Sequence, residues 1–320
     1  MEDLERTETR LDNIRTVEPI LSALRTISLG SWQAALKRKD SVRRYEERLT
    51  AMLPALLPHV RPRSRHRPRR RLLTIRRTAR PPSSPTIGGD ERGEARVIAL
   101  VIGSERGLCG RFNAAVVERA ERYLPEQTAA GAQVELMALG TRVRRILRRH
   151  QQPLAWSGAL SVTALPPYRL AFDLTRRWLT RYEEREVDAV DLVYNAYRGS
   201  ARYEPTVARL IPPTLPTPEA DALPWPPPII ETGPLSLYSR VVEQWATVSL
   251  YGLLLDSAAA EHSARFQLLE ASTQNIERLI DELTLAVQTA RQQEITQEMQ
   301  ELAAGAGLLP GVRKKEEGHQ

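Results

Sequence analysis

From Leu253 to Ala304 the chain runs for about fifty residues without a proline or a glycine, against an average of about a dozen for a helix in a globular protein. If helical throughout, this stretch is a rod on the order of 75 Å long, and a rod of that length cannot bury itself. Its apolar residues Leu269, Ile276, Leu279, Leu283, Ala286 and Ala290 recur near a heptad, so one side is a seam that needs a partner helix. The N-terminal residues carry the same pattern in Ile14, Val17, Leu21, Leu24, Ser28, Ser31, Ala35, Val42, Tyr45, Leu49, Met52 and Leu56. Two seamed helices at opposite ends of one chain can satisfy each other. The spacing therefore predicts one antiparallel coiled coil over residues near 4–56 and 237–304, a shaft carrying a globular head.

Composition supports long exposed helices more than one thick core: of 320 residues, 27% are charged and only 5% aromatic, while 42% are hydrophobic. The purely apolar runs, such as Val97 to Ile102, are far shorter than the roughly 20 residues that span a bilayer. The opening MEDLERTETRLDN mixes acidic and basic residues and lacks the apolar segment and cleavage site of a secretory signal. A lone cysteine, Cys109, cannot make an internal disulfide, which suits a reducing compartment.

Much of the net charge of +7 lies between Arg61 and Pro82, where arginines crowd among prolines and serines. This segment reads either as a phosphate-binding arm or as a solvated connector. The connector is favoured, because no aromatic side chains interleave with the arginines to stack on bases and the prolines exclude a regular recognition helix.

Between Arg96 and Pro212 the period changes. The β-branched runs RVIALVIG, QVELMALG and VDAVDLVYN alternate with helical stretches at Asn113 to Leu124, Thr141 to His150 and about Tyr168 to Glu186. Strand and helix in alternation predict a predominantly parallel sheet with crossover helices. The proline-dense stretch from Pro212 to Pro234 can be neither helix nor central strand and reads as a linker. The glycine-rich turn GSERGLCGRFN lies between strand and helix, where phosphates often bind. Its Gly103, Gly107 and Gly110 do not spell a dinucleotide fingerprint, however, and no phosphate-loop lysine follows. Cys109 could be a nucleophile only with a histidine partner, and none of the five histidines has the context for it. A packed cysteine is the stronger reading. No metal or cofactor motif is present in the sequence, so neither is expected. On these residues alone, a basic coiled-coil nucleic-acid-binding protein and a nucleotide-dependent α/β enzyme stay open beside the shaft.

Particular segments narrow the choice. RGLCGRFN, Arg106 to Asn113, resembles the RGLCGGFN signature of the gamma subunit of F-type rotary ATP synthases. ARQQEITQEMQELAAGAGLL, Ala290 to Leu309, is similar to that family's closing ARQASITxEIxEIxxGAxAL, with IDELTLAVQTARQ leading into it. YNAYRGSARYEPTVARLIP, Tyr194 to Pro212, resembles YNxFxxxxxxEPTVxxLLP, and Ser257 to Leu283 resembles SxxSEHxxRMxAMxxATxNAxxLIxxL. The motifs fall in order along nearly the whole chain.

The resemblance implies a fold in which a long antiparallel coiled coil of N- and C-terminal helices carries a central Rossmann-like α/β domain. It also implies a role: a non-catalytic central rotor stalk, one per complex, that couples proton- or sodium-driven rotation of the membrane ring to ATP synthesis or hydrolysis at the alpha and beta subunits. Expected partners are the alpha, beta and epsilon subunits and the ring of c subunits, with no nucleic acid. The expected place is the cytoplasmic face of the cell membrane, peripherally. By position, Arg291 and Gln292 match the family's ARQ motif, and Thr296 and Glu298 its ITxE, where the upper shaft meets a catch loop of beta. Leu24 and Arg25 stand for the methionine and lysine of its AMK motif. Arg106, Gly107, Cys109, Gly110 and Asn113 form the structural signature.

Three departures stand out. Pro19 replaces a usual lysine inside the N-terminal helix, Arg111 replaces the second glycine after Cys109, and a polar tail extends past the familiar end. The expected division is an N-terminal helix over 1–60, a basic connector over 61–95, the α/β domain over 96–212, a linker over 213–234, a C-terminal helix over 235–305 and a tail over 306–320.

Overall fold

The computed structural model describes residues 2–60, 94–213 and 229–306. The basic segment 61–82 and nearly all of the tail lie outside the described residues, as does most of the proline-rich linker. The elements run α1 (Glu2–Val60), β1 (Ala95–Ile102), α2 (Phe112–Ala129), β2 (Ala132–Leu139), α3 (Thr141–Arg149), β3 (Trp156–Gly158), α4 (Tyr168–Glu183), β4 (Ala189–Gly199), β5 (Arg202–Ile211) and α5 (Pro234–Gly305). The chain divides into two compact units, residues 1–25 with 269–320 and residues 26–268.

In the larger unit the strands form one sheet in the order β3-β2-β1-β4-β5. β1 pairs in parallel with β2 and β4, β2 in parallel with β3, and β5 antiparallel with β4. The antiparallel β5 continues the chain straight back from β4 and needs no crossover helix. Both faces are covered, which is why β1 reads as a continuous apolar run rather than an alternation. On one face Ala99, Val101, Leu136, Ala138 and Val193 meet Val116, Val117 and Ala120 of α2 and Val143 and Leu147 of α3. On the other, Ile98, Leu100, Leu139 and Leu192 meet Trp178 and Tyr182 of α4, Val242, Leu250 and Leu254 of α5, and Leu49, Leu53 and Leu56 of α1.

The seam of α1 differs in detail from the one its apolar residues suggest. Val17, Tyr45 and Met52 are exposed at 44%, 47% and 44%, whereas Leu11 and Leu53 are buried. Leu11, Ile14, Leu21, Ser28, Trp32, Ala35, Val42, Leu49, Leu53 and Leu56 are buried or half-buried, and they advance in steps of three, four or seven residues, the gaps of seven being filled by half-buried Glu18, Arg25, Lys39 and Glu46. The same lattice is completed by charged residues, which is why counting only hydrophobic side chains shifted it. On α5 the correction is one residue: Ala286 is exposed and Val287 is buried.

Within the larger unit the charged seam positions of α1 find partners on α5. Lys39 Nζ donates to Asp256 at 2.5 Å, Ser249 Oγ to Glu46 at 2.5 Å, and Trp245 Nε1 to Thr50 Oγ1 at 3.0 Å. One step forward on α1 is one step back on α5, so the pair is antiparallel. In the smaller unit, Arg25 Nη1 donates to Glu270 at 2.8 Å and Arg291 Nε to Glu8 at 3.0 Å, in the same antiparallel sense. α1 continues through Pro19, which sits on an exposed position, where the carbonyl it leaves without a donor can be hydrated.

Asp256 has a side chain only 9% exposed, and it also accepts the backbone N–H of Tyr197 at 3.4 Å. Removing one partner of such a pair strands the other, with a discount because Lys39 is a third exposed. Asp256→Ala should cost roughly 1 to 3 kcal/mol in urea unfolding followed by circular dichroism, and the double variant Lys39→Met with Asp256→Leu should recover most of it. A destabilised double variant would show that the pair contributes net stability that apolar packing cannot replace.

Candidate functional site

Two sets of residues carry the sequence-level expectations, one in each unit. In the larger unit, the turn that follows β1 is built around a close approach of strand ends. A Cβ on Gly103 would stand 2.6 Å from Val143 Cβ and 2.7 Å from Asn113 Oδ1, and one on Gly140, at φ +105°, would stand 2.8 Å from the Gly103 carbonyl. No side chain fits at either position. Asn113 then ties the turn together. Its Oδ1 accepts the Ser104 N–H at 2.9 Å, and its Nδ2 donates to Ser104 Oγ at 2.8 Å and to Cys109 Sγ at 3.4 Å. Ser104 Oγ in turn donates to the Arg106 carbonyl at 2.6 Å. Leu108 and Gly110 turn the chain in the left-handed region, at φ 60° and 58°. Cys109, 3% exposed, packs with Phe112 and Ala260, and burial pushes its thiol up despite the Ser104 hydroxyl beside it. The turn therefore brings Cys109, Gly110 and Asn113 together as a packed corner, with a thiol that resists ionisation.

The remaining signature residues, Arg106 and Gly107, act through their carbonyls. Arg265 of α5 donates from Nε to the Gly107 carbonyl at 3.2 Å and from Nη2 to the Arg106 carbonyl at 3.4 Å. The same guanidinium meets Glu261 Oε1 at 2.5 Å and His262 Nδ1 at 3.1 Å. The long helix is thereby fastened to the head by one arginine whose side chain is 9% exposed. Burial lifts the Glu261 carboxyl above its ordinary range, with Arg265 opposing. Burial, then the Arg265 charge, depress His262 to about 4, so the ring is neutral near pH 7 and its Nδ1 accepts from the guanidinium. Glu105 closes the far side. Burial opposes its charge, yet donors from the Thr141 hydroxyl and the Leu160 and Thr141 N–H groups hold it below the ordinary carboxylate value.

Sequence reasoning assigned no role to Ser104, Glu105, Glu261, His262 or Arg265, although the last three stand on the fixed letters of the SxxSEHxxRM pattern that Ser257 to Leu283 resembles. The available signal was a Glu and an Arg four residues apart inside the small-residue run SAAAEHSARF. Such a spacing is normally a surface pair, and only the loop packed over it makes it a clamp.

In the smaller unit, Arg291, Gln292, Thr296 and Glu298 are all exposed on α5. Arg291 forks onto one oxygen of Glu8 of α1, and Thr296 Oγ1 donates back to the Gln292 carbonyl at 2.6 Å. Helical spacing puts Arg291 with Glu298, and Gln292 with Thr296, on two neighbouring stripes. Leu24 and Arg25 are half-buried on α1, Arg25 being held by Glu270.

In the larger unit, then, α1 and α5 run antiparallel against a five-stranded, mostly parallel sheet, with α5 fastened to a glycine-rich turn. A family model described as ATP synthase matches residues 3–309, and the chain belongs to that family. Among curated relatives, the ATP synthase gamma chain of Geotalea daltonii is 27% identical over 97% of this chain and 100% of its own length. That of Pelotomaculum thermopropionicum is 28% identical with the same coverage. The fold is also that of chains in solved structures. One from the Euglena gracilis mitochondrial ATP synthase, OSCP/F1/c-ring, matches with a TM-score of 0.58 and 15% identity over 98% of this chain and 99% of that one. One from the central stalk/c-ring of the Tetrahymena thermophila mitochondrial enzyme gives 0.53 and 16% over 79% and 99%.

Arg265→Met should cost about 3 to 5 kcal/mol, because it leaves a buried carboxylate without its partner, and adding Glu261→Gln should restore part of the loss; equal stability of the single and double variants in urea melts would refute the clamp. His262 gives the pH dependence. Its folded pKa is below its unfolded value near 6.5, so its contribution to stability is complete above pH 6.5 and is lost as pH falls toward 4, at about 1.4 kcal/mol for each unit of depression. His262→Gln should flatten the stability curve over that window, as thermal melts at stepped pH would register.

Proposed function

We propose that the chain is the rotating central stalk of an F-type ATP synthase, turned by an ion-driven membrane ring and presenting an asymmetric shaft to the catalytic alpha and beta subunits. Rotation would bias each catalytic subunit in turn, because a contact shifts an equilibrium only by binding one state better than another. The observation that carries this reading, beside the family membership, is an apolar stripe on α5. Leu285, Ile295, Met299 and Leu302 are 65%, 57%, 66% and 73% exposed. They lie on the side turned away from the seam residues Leu283, Val287 and Ala290. A helix that buries one side against its partner and exposes large apolar residues on the other is prepared for an enclosing surface.

Arg291, Gln292, Thr296 and Glu298 flank that stripe, and we assign them contact with beta. Arg291 already holds Glu8, so this contact would be a shared or exchanged carboxylate rather than the filling of a free guanidinium. Leu24 and Arg25 are assigned to the N-terminal side of the same contact. We further read the chain as a peripheral, non-catalytic subunit on the cytoplasmic face of the cell membrane, with epsilon and the c-ring as further partners. No helix among the described residues is long and apolar enough to cross a membrane.

The test is reconstitution with alpha and beta. Met299→Glu with Leu302→Glu should leave the isolated chain's helicity intact while lowering the yield of assembled complex at least about tenfold, the effect of roughly 1.4 kcal/mol. Arg291→Ala with Gln292→Ala should reduce ATP turnover or ATP-driven ion pumping by the assembled complex. Wild-type assembly and turnover in both variants would sink the assignment, as would ATP hydrolysis by the purified chain alone.

A further inference from the structure

The nine residues of α3, TRVRRILRR, hold five arginines and no acidic residue. Val143 and Leu147 are buried against the sheet and Ile146 is half-buried, so the arginines occupy the outer side. Arg142, Arg145, Arg148 and Arg149 are exposed, and Arg144 is half-buried, with its charge acting on Glu105. The nearest acidic helix does not answer the other four. On α2, Glu118 is taken by Arg111 at 2.9 Å, Glu126 by Arg119 at 3.6 Å, and Glu121 by the ring of His150 at 2.6 Å. Among the described residues no carboxylate pairs with Arg142, Arg145, Arg148 or Arg149.

The arrangement is unfavourable for the isolated fold. Arg142, Arg145 and Arg149 follow one another at three and four residues, the spacing at which like charges on a helix repel. Arg148 and Arg149 are compensated by the negative end of the helix dipole, but Arg142, in the first turn, stands at its positive end. Its guanidinium lies against Gly107 of the signature turn, so the cationic line begins there and descends α3 at about one residue per turn. Arginine throughout, with no lysine, favours planar acceptors that take two donors at once.

We infer that this outer face of α3 is a docking surface for a carboxylate-bearing segment of another subunit of the complex, one whose acidic side chains recur at about one helical turn. The inference rests on the reading of the chain as part of an ATP synthase. A partner protein fits better than a bilayer, because the apolar side of α3 is spent on the sheet and none of it remains to enter a lipid interface. It also fits better than nucleic acid, because no exposed aromatic side chain on α3 accompanies the arginines.

In the complex purified from membranes, Arg145→Lys with Arg149→Lys keeps the charge and supplies amines for carbodiimide coupling to carboxylates in contact. The expected product is an amide bond between α3 and an Asp or Glu of another subunit, found by mass spectrometry and lost at high salt. Crosslinks only to Glu118 or Glu121 of the same chain, or none, in a complex that still contains alpha and beta would overturn the inference and leave the rotor reading standing. Binding of the full chain to phosphatidylglycerol vesicles or to duplex DNA that is abolished by Arg145→Glu with Arg149→Glu, without a subunit crosslink, would assign the face to lipid or nucleic acid instead. A chain that never copurifies with alpha and beta would take both readings down.

Discussion

The stretch of α5 from Tyr238 to Ala260 is buried on nearly every side, and a helix enclosed in this way can exist only inside an assembly of other elements. This one constraint organises the larger unit. The sheet, α4 and the end of α1 close around α5 in a single core that contains Trp178, Tyr182, Leu192, Leu250 and Leu53. Anything α5 transmits is transmitted through this packing, because close-packed interiors move as bodies rather than deform.

Apolar burial alone would let two helices slide. What fixes their register is the set of charged and polar residues placed at positions a coiled coil normally fills with hydrophobic side chains. Lys39 and Asp256, with Glu46 and Ser249, do this in the larger unit, and Arg25 with Glu270 in the smaller one. Polar groups at seam positions sacrifice some stability and gain a single register. Under the proposed rotor role the faces of the shaft have to differ, and a fixed register is what would keep each face in place. Arg265 then fastens the shaft to the signature turn through carbonyls, which any residue could supply, so the contact depends on the backbone path that Gly103 and Gly140 permit.

Much of this was legible in advance. The alternating apolar runs located β1, β2 and β4, the absence of proline and glycine located the body of α5, and the motif order located the family. The short β3, three residues long, carried no periodic signal. α2 runs through Pro125 to Ala129, past the point at which a proline normally ends a helix, because this proline falls within a helix whose opposite side is packed. Val17, Tyr45, Met52 and Ala286 were misplaced because an apolar count cannot register that a lysine or a glutamate occupies a seam position. The candidate site was half legible: the signature turn and the Glu261, His262 and Arg265 letters were both visible as motifs, whereas the contact that joins them, from Arg265 to the Arg106 and Gly107 carbonyls, was not.

By itself the sequence determined the period of each segment, and with it the two long helices, the covered sheet and the need for each helix to find a partner, because side-chain spacing dictates which face of an element must leave water. The tertiary structure decided which charges meet. Asp256, Glu270 and Arg265 are separated from Lys39, Arg25 and the Arg106 carbonyl by more than one hundred residues of chain. Long-range pairing of this kind leaves no local periodicity. A buried ion pair and an exposed one have the same letters, and the difference between them is the desolvation that only the folded neighbours impose.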